Sequence, residues 1–247
     1  MIAGWVLGLE TSGAWTGVAL AQDGVLMGER SSRRPSSSQE RLLAFSDELL
    51  RDANLTPREL ARIAVAVGPG SFTGLRVGIA TARGLALATG IAVAGVPSHE
   101  ALAAPFRGLG REILLLSGER RGTVLVEAGR WEGVDWRPSL PAACVPVEEL
   151  RDRLAPIQSR GAPWLLLGEA VESVAMKQPW LAAMGESPRD PLLATRRPAW
   201  VALLGSEPGR IAHSGRAIDE VRPLYLRAAD AKRPAQVSLI APRGSSR

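Results

Sequence analysis

The chain has 247 residues, 46% of them apolar, and carries 30 Lys and Arg against 25 Asp and Glu for a formal net charge of +5; that is enough apolar material to bury a core as one large domain or two lobes. A single cysteine, Cys144, excludes an internal disulfide and a cysteine-rich metal site, and His99 and His213 lie outside any two-histidine zinc motif, so both read as ordinary surface or hydrogen-bonded residues. No basic segment precedes the apolar N-terminal stretch and no apolar run approaches the roughly 18 residues that span a bilayer, so the expectation is a cytoplasmic protein without membrane contact.

Residues 6–10 and 16–21 read as strands joined through Thr11-Ser12-Gly13. Asp23-Gly24 then marks a two-residue hairpin into a third strand over 25–31, because that dipeptide supplies the positive φ angles such a turn requires. Ser37 with Glu40 forms a capping box ahead of a helix running to about Ala53, with Leu42, Leu43, Phe45, Leu49 and Leu50 at helical spacing. A strand over 63–67 is apolar on both faces and therefore central in its sheet. It leads into the loop Gly68-Pro69-Gly70-Ser71-Phe72-Thr73-Gly74, a helix over 73–88 stopped by Gly90, a strand over 91–96 and a third helix capped by Ser98.

Strand, strand, strand, helix, strand, helix, strand is the lobe order of the actin, sugar-kinase and Hsp70 superfamily (ASKHA). It predicts an α/β, two-lobed actin-like fold with a mixed five-stranded sheet in the N-terminal lobe. The second half repeats the order loosely, with strands at 113–116, 123–128, 131–136 and 164–167, helices at 147–154 and 191–204, and a closing strand at 223–226. The expected organisation is an N-terminal lobe over 1–106, a divergent second lobe over 107–228 and a basic tail over 229–247. In that tail Lys232, Arg233, Arg243 and Arg247 stand among Pro, Gly and Ser, the composition of a flexible solvated end, with an RNA-contacting arm as the alternative.

The Gly-rich loop has the setting of an anion site, a turn that opens a helix. Its spacing, G-x-G-x-x-x-G, is one residue too long for the dinucleotide fingerprint, and it lacks the Lys and Ser/Thr of a P-loop, so a turn that serves backbone geometry alone explains it equally. In the helix behind it, Gly74, Gly78 and Ala82 form one small-residue stripe and Ala80, Gly84 and Ala88 another. Each mid-helix glycine costs about 0.5–1 kcal/mol relative to Ala, which implies an offsetting close contact. One stripe suffices for the lobe's own sheet; the other invites the first helix or another chain.

Leu7-Gly8-Leu9-Glu10-Thr11-Ser12, Gly17-Val18-Ala19-Leu20, the string from Gly68 to Arg76, Gly95-Val96-Pro97-Ser98, and Arg222-Pro223-Leu224-Tyr225-Leu226-Arg227 together resemble the TsaB (YeaZ) family. That resemblance covers roughly the first hundred residues and the closing segment. It implies an actin-like subunit, without catalytic residues of its own, that binds a TsaD-type transferase; the transferase carries the metal and moves threonylcarbamoyl to N6 of adenosine 37 in tRNAs reading ANN codons. A TsaE-type ATPase completes the set, ATP and magnesium belong to the partner subunits, tRNA is met indirectly, and the chain alone forms a homodimer. The implied partner surface lies on the first two helices and includes Leu42, Phe45, Leu49, Gly74, Arg76, Gly78 and Ala82. Candidates for ligand contact, by analogy with the superfamily's ATPases, are Glu10, Thr11, Ser12, Gly70 and Ser71, with no metal ligands and no cofactor expected.

The chain departs from the family pattern at particular places. Glu10 stands where members have Asp, one methylene longer at the point where the ATPases bring a magnesium-bound water. Of the middle motif, Gly118-Glu119-Arg120-Arg121-Gly122 retains Arg120 alone. Two alternatives belong to other classes. A stand-alone kinase or ATPase requires an acidic pair and a second phosphate loop. A peptidase requires a nucleophile, yet Cys144 sits in apolar Ala142-Ala143-Cys144-Val145-Pro146 and no G-x-S-x-G elbow occurs.

Overall fold

In the computed structural model the described residues are 1–33, 38–157, 163–190 and 192–226. The cap expected at Ser37, Arg227 of the closing motif and the whole basic tail lie outside them. The chain opens with β1 (Trp5–Glu10), β2 (Thr16–Gln22) and β3 (Val25–Ser32), a meander whose second turn has φ of 51° at Asp23 and 82° at Gly24, as the Asp-Gly signal requires. α1 (Ser38–Asp52), β4 (Leu60–Gly68), α2 (Phe72–Thr89), β5 (Val93–Pro97) and α3 (Ser98–Ala103) follow.

β1 lies between β2, to which it is antiparallel, and β4, to which it is parallel. Alternation along β1 divides the protein's interior. Leu7 and Leu9 face α1 and α2, with Leu20, Leu42, Ile63, Val65 and Ile79. Val6 faces the other side, with Ala64, Val96 and Leu102. Glu10 shares that second parity with Val6, which turns a carboxylate toward the body of the molecule.

The second sheet is built from β6 (Ile113–Arg120), β7 (Thr123–Glu132) and β8 (Asp135–Pro146), then α4 (Leu150–Leu154), β9 (Trp164–Leu167), α5 (Val171–Lys177), α6 (Trp180–Met184) and β10 (Gly185–Glu186), in the order β10-β9-β6-β7-β8. The expected strand at 131–136 is instead the tip of a hairpin. β8 is the part the sequence hid: Pro138 and Pro141 argue against a strand, and an edge position, where one side needs no ladder bond, admits them.

The chain then returns to the first lobe. α7 (Pro198–Gly205) lies on β1, β2 and β4 so closely that a Cβ on Gly8 would collide with the backbone of Ala202, and β11 (Ala212–His213) pairs antiparallel with β5. Two expectations are corrected by this return. The first sheet has six strands in the order β11-β5-β4-β1-β2-β3, not five, and residues 198–213 belong with the first lobe although the second was expected to run to 228. The helix expected from 191 begins at Pro198, whose fixed φ suits the first helical position. The closing strand at 223–226 is an extended segment outside the sheets, tied by Leu224 N–H to the Val67 carbonyl at 2.7 Å. Ile113, Leu115, Leu165 and Leu167 of the second sheet share one core with Val201 and Leu204 of α7, so the lobes meet through apolar packing. Among the described residues no helix is long and apolar enough to cross a membrane.

Candidate functional site

The ends of β1, β4 and β6 and the start of α2 meet at a cleft between the two sheets, with a volume of about 720 Å³. Residues 12–14 and the Gly-rich loop form one wall, residues 118–120 and Glu169 the other, and the segment 224–226 the rim. Of the five candidate ligand residues Ser12, Gly70 and Ser71 line this cleft, while Glu10 and Thr11 lie behind it, and the polar groups of the set are engaged within the chain. Ser71 N–H donates to the Ser12 carbonyl at 2.8 Å. The Ser71 hydroxyl caps α2 by accepting the Gly74 N–H at 3.2 Å, and the Thr11 hydroxyl donates to the Gly74 carbonyl at 2.7 Å. Ser98, expected to cap α3, instead accepts the Gly68 N–H at 3.0 Å and anchors the loop from behind.

This crossing also explains the glycines. A Cβ on Gly70 would collide with the Ser12 carbonyl, one on Gly74 with the Thr11 carbonyl, and one on Gly78 with the Thr11 hydroxyl. The stripe Gly74, Gly78 and Ala82 therefore packs on β1 and the core, a correction to the partner role expected of it. Leu42 and Leu49 are corrected likewise, because α1 turns them onto the sheet where they are 0% and 4% exposed. Phe45 is half-buried against the same core. Arg76 is exposed, lies 3.9 Å from the centroid of the Phe72 ring and donates from Nε to the Tyr225 hydroxyl at 3.0 Å. The opposite stripe, Ala80, Gly84 and Ala88, is the one that faces outward, next to Leu87 at 75% exposure.

The cleft floor holds more charge than the sequence disclosed. Glu10 is fully buried; its Oε1 accepts the Ser12 N–H at 2.5 Å, and its Oε2 has no hydrogen-bond partner among the described residues. Burial pushes this carboxyl above the ordinary range, against the opposing pull of Arg196 and the Ser12 hydrogen bonds. Arg196, from the segment that leads back to the first lobe, is 4% exposed and donates from Nη1 to the Ser12 carbonyl at 2.7 Å. Its Nη2 lies 3.7 Å from Glu169 Oε1, which also accepts the Gly118 N–H at 3.1 Å. Desolvation would raise the Glu169 carboxyl, but Arg196 and the backbone N–H groups outweigh it and hold the group below the usual range.

Beneath the floor His99, at the start of α3, joins the lobes. Its Nδ1 lies 3.1 Å from Glu127 Oε2 and its Nε2 2.8 Å from the Ser117 hydroxyl, while Trp136 Nε1 donates to Glu127 Oε1 at 2.8 Å. Burial, the largest influence, holds the imidazole below its usual range despite Glu127. A neutral ring that donates from Nδ1 and accepts at Nε2 satisfies all four groups. The line serine, histidine, carboxylate has the spacing of a nucleophile relay. Ser117 and His99 are 0% exposed, however, and the Gly118 N–H beside them is committed to Glu169, so a substrate carbonyl has neither access nor an oxyanion donor there.

A search for relatives matches the protein over nearly its whole length. It is 28% identical over 236 residues to the tRNA threonylcarbamoyladenosine biosynthesis protein TsaB of Bacillus subtilis strain 168, an alignment that spans 92% of this chain and 96% of that one. Nearly the whole chain is thus similar to a TsaB protein. The TsaB of Escherichia coli K12 is 28% identical over 169 residues, 66% of this chain and 70% of that protein. The family model described as "TsaD: tRNA N6-adenosine threonylcarbamoyltransferase" matches residues 33–155. A crystal structure of a Pseudomonas aeruginosa protein with similarity to peptidase YeaZ shares the fold, with a TM-score of 0.73, 23% identity, and coverage of 91% of this chain and all of that one.

In this chain the residues at the cleft do not fit the magnesium–nucleotide group expected there by analogy with actin-like ATPases. Among the described residues no three His, Cys, Asp or Glu side chains are grouped to hold a metal ion. Glu10 is fully buried, and the Arg196 guanidinium acts on both Glu10 and Glu169. Arg196, Glu169 and the His99 network carried no sequence signal, since an isolated arginine and two glutamates become a site only when the return of the chain sets them against Ser12. Tyr225 did carry one, in the closing motif.

Proposed function

We propose that this chain is the non-catalytic scaffold subunit that binds and activates a TsaD-type transferase in the N6-threonylcarbamoylation of adenosine 37 in tRNAs reading ANN codons. The printed names of the Bacillus subtilis and Escherichia coli relatives support a place in threonylcarbamoyladenosine biosynthesis. The observation that carries the scaffold reading is the outer stripe of α2. Gly84 has nothing within 4 Å of the position a Cβ would occupy, so this glycine costs its helix about 0.5–1 kcal/mol with no close contact inside the chain in return. A partner helix seated on Ala80, Gly84 and Ala88, with Leu87 at its edge, supplies that contact. The same face serves a homodimer when the chain is alone. A TsaE-type ATPase completes the assembly, and tRNA is held through the partners.

The test is capture of the cognate TsaD-type subunit by purified chain, wild type against Gly84→Arg. The variant is expected to lose about 30-fold in affinity, the equivalent of about 2 kcal/mol at an interface hot spot. It should also fail to restore threonylcarbamoyladenosine in the tRNA of a TsaB-depleted bacterium, read by mass spectrometry of nucleosides. Unchanged capture by a folded Gly84→Arg variant overturns the interface.

A further inference from the structure

The cleft floor suggests why the chain and the magnesium–nucleotide group do not suit each other. We propose that the Arg196 guanidinium is a built-in cation that stands in place of a divalent metal ion, fastening the β1–β2 turn and the Gly-rich loop to the second lobe and excluding metal–nucleotide from the floor.

Three contacts define this role. From Nη1 the side chain donates to the Ser12 carbonyl at 2.7 Å and approaches the Ser12 hydroxyl at 3.3 Å. Its stem and head pass through space that only glycine leaves: a Cβ on Gly13 would lie 3.3 Å from Arg196 Cδ, and one on Gly70 2.9 Å from Nη1. Across the cleft, Nη2 faces Glu169 Oε1 at 3.7 Å. A single cation thus touches the turn after β1, the loop before α2 and the junction of β9 with α5, elements otherwise on opposite sides of the cleft.

The charges agree with the contacts. Glu10 and Glu169 are the two acids that neighbour this cation, and His99 beneath them is held neutral by burial. Arg196 Nε and Nη2 are buried without a hydrogen-bond acceptor among the described residues, so the link to Glu169 is electrostatic while the link to Ser12 is a hydrogen bond. Arginine suits the task because its guanidinium stays charged when desolvated. A divalent ion brought to the same carboxylates would meet that positive charge in low dielectric, where like charges repel strongly.

The experiment follows thermal unfolding of the full chain with two probes. The wild-type melting temperature is expected not to move with millimolar MnCl2, with or without ATP. Arg196→Ala is expected to melt lower and to regain stability in ethylguanidinium but not in ethylurea, which has similar shape and no charge. A saturable rise of the wild-type melting temperature with MnCl2 overturns the proposal, as does equal rescue by ethylurea or an unchanged melting temperature in Arg196→Ala. If Arg196→Ala does not fold, the wild-type titration still decides whether the floor admits a metal. Neither readout involves the transferase partner, so the result is independent of the scaffold reading.

Discussion

Thr11, the first residue after β1, donates its hydroxyl hydrogen to the Gly74 carbonyl at 2.7 Å, and α2 crosses so close above it that a Cβ on Gly78 would strike the same hydroxyl oxygen. Gly78 and Gly84 therefore make opposite predictions although both are mid-helix glycines. Gly78→Ala forces the crossing apart and is expected to destabilise the chain by about 1–3 kcal/mol, the usual cost of overpacking. Gly84→Ala meets open space and gains helix propensity, so it is expected to stabilise the isolated chain by about 0.5–1 kcal/mol. Urea unfolding of the two variants side by side checks both signs.

Glu10 predicts an unusual pH dependence. Its folded pKa lies above the 4.5 of a free side chain, so the folded state holds the proton more tightly than the unfolded one. Stability from this group is therefore present below pH 4.5, falls as pH rises through the raised value and is fully lost above it. Glu10→Gln keeps an acceptor for the Ser12 N–H and removes the charge. Relative to wild type it should gain stability as pH climbs from 4.5 toward neutrality, read from urea midpoints at a series of pH values. A difference independent of pH contradicts the assignment.

His99 has the opposite sign. Its folded pKa lies below 6.5, so as pH falls through 6.5 the unfolded chain takes up a proton that the folded chain refuses, and stability declines down to the folded value. His99→Gln cannot titrate. It is expected to cost about 1–3 kcal/mol at neutral pH, where Glu127 and Ser117 lose a buried partner. The gap to wild type should narrow as the solution is acidified.

How far these sites could be read from sequence depended on how local their causes were. The Asp23-Gly24 turn and the mixed sheet around β1 follow from short-range rules and appeared where those rules put them. The Gly-rich loop was visible as a special turn, but its purpose was not: the stripes of α2 are equivalent in sequence, and only the position of Thr11 decides which one turns inward. Arg196 lies 184 residues from Ser12, its hydrogen-bond partner, and nothing near it in sequence marks it. The return of α7 and β11 to the first sheet was missed for the same reason, since an apolar helix states that it must be buried without stating against which sheet.

Tyr225 offers a test of how the closing segment holds the cleft rim. Its ring stacks on Phe72 with centroids 4.8 Å apart, and its hydroxyl accepts from Arg76 Nε at 3.0 Å. The ring is 42% exposed, so the hydrogen bond is wet and Tyr225→Phe should cost well under 1 kcal/mol, as exposed polar contacts do. Tyr225→Ala removes the aromatic pair and the face that Arg76 shares with Phe72, about 0.5–1.5 kcal/mol beyond area. The Leu224 N–H bond to the Val67 carbonyl and the packing of Leu224 beside Gly68 then remain to hold the segment against β4. Limited proteolysis should cut at residues 222–226 faster in Tyr225→Ala than in Tyr225→Phe, with Arg76→Ala between them. Equal rates for Tyr225→Ala and wild type would show that the contacts of Leu224, not the aromatic stack, fix the rim.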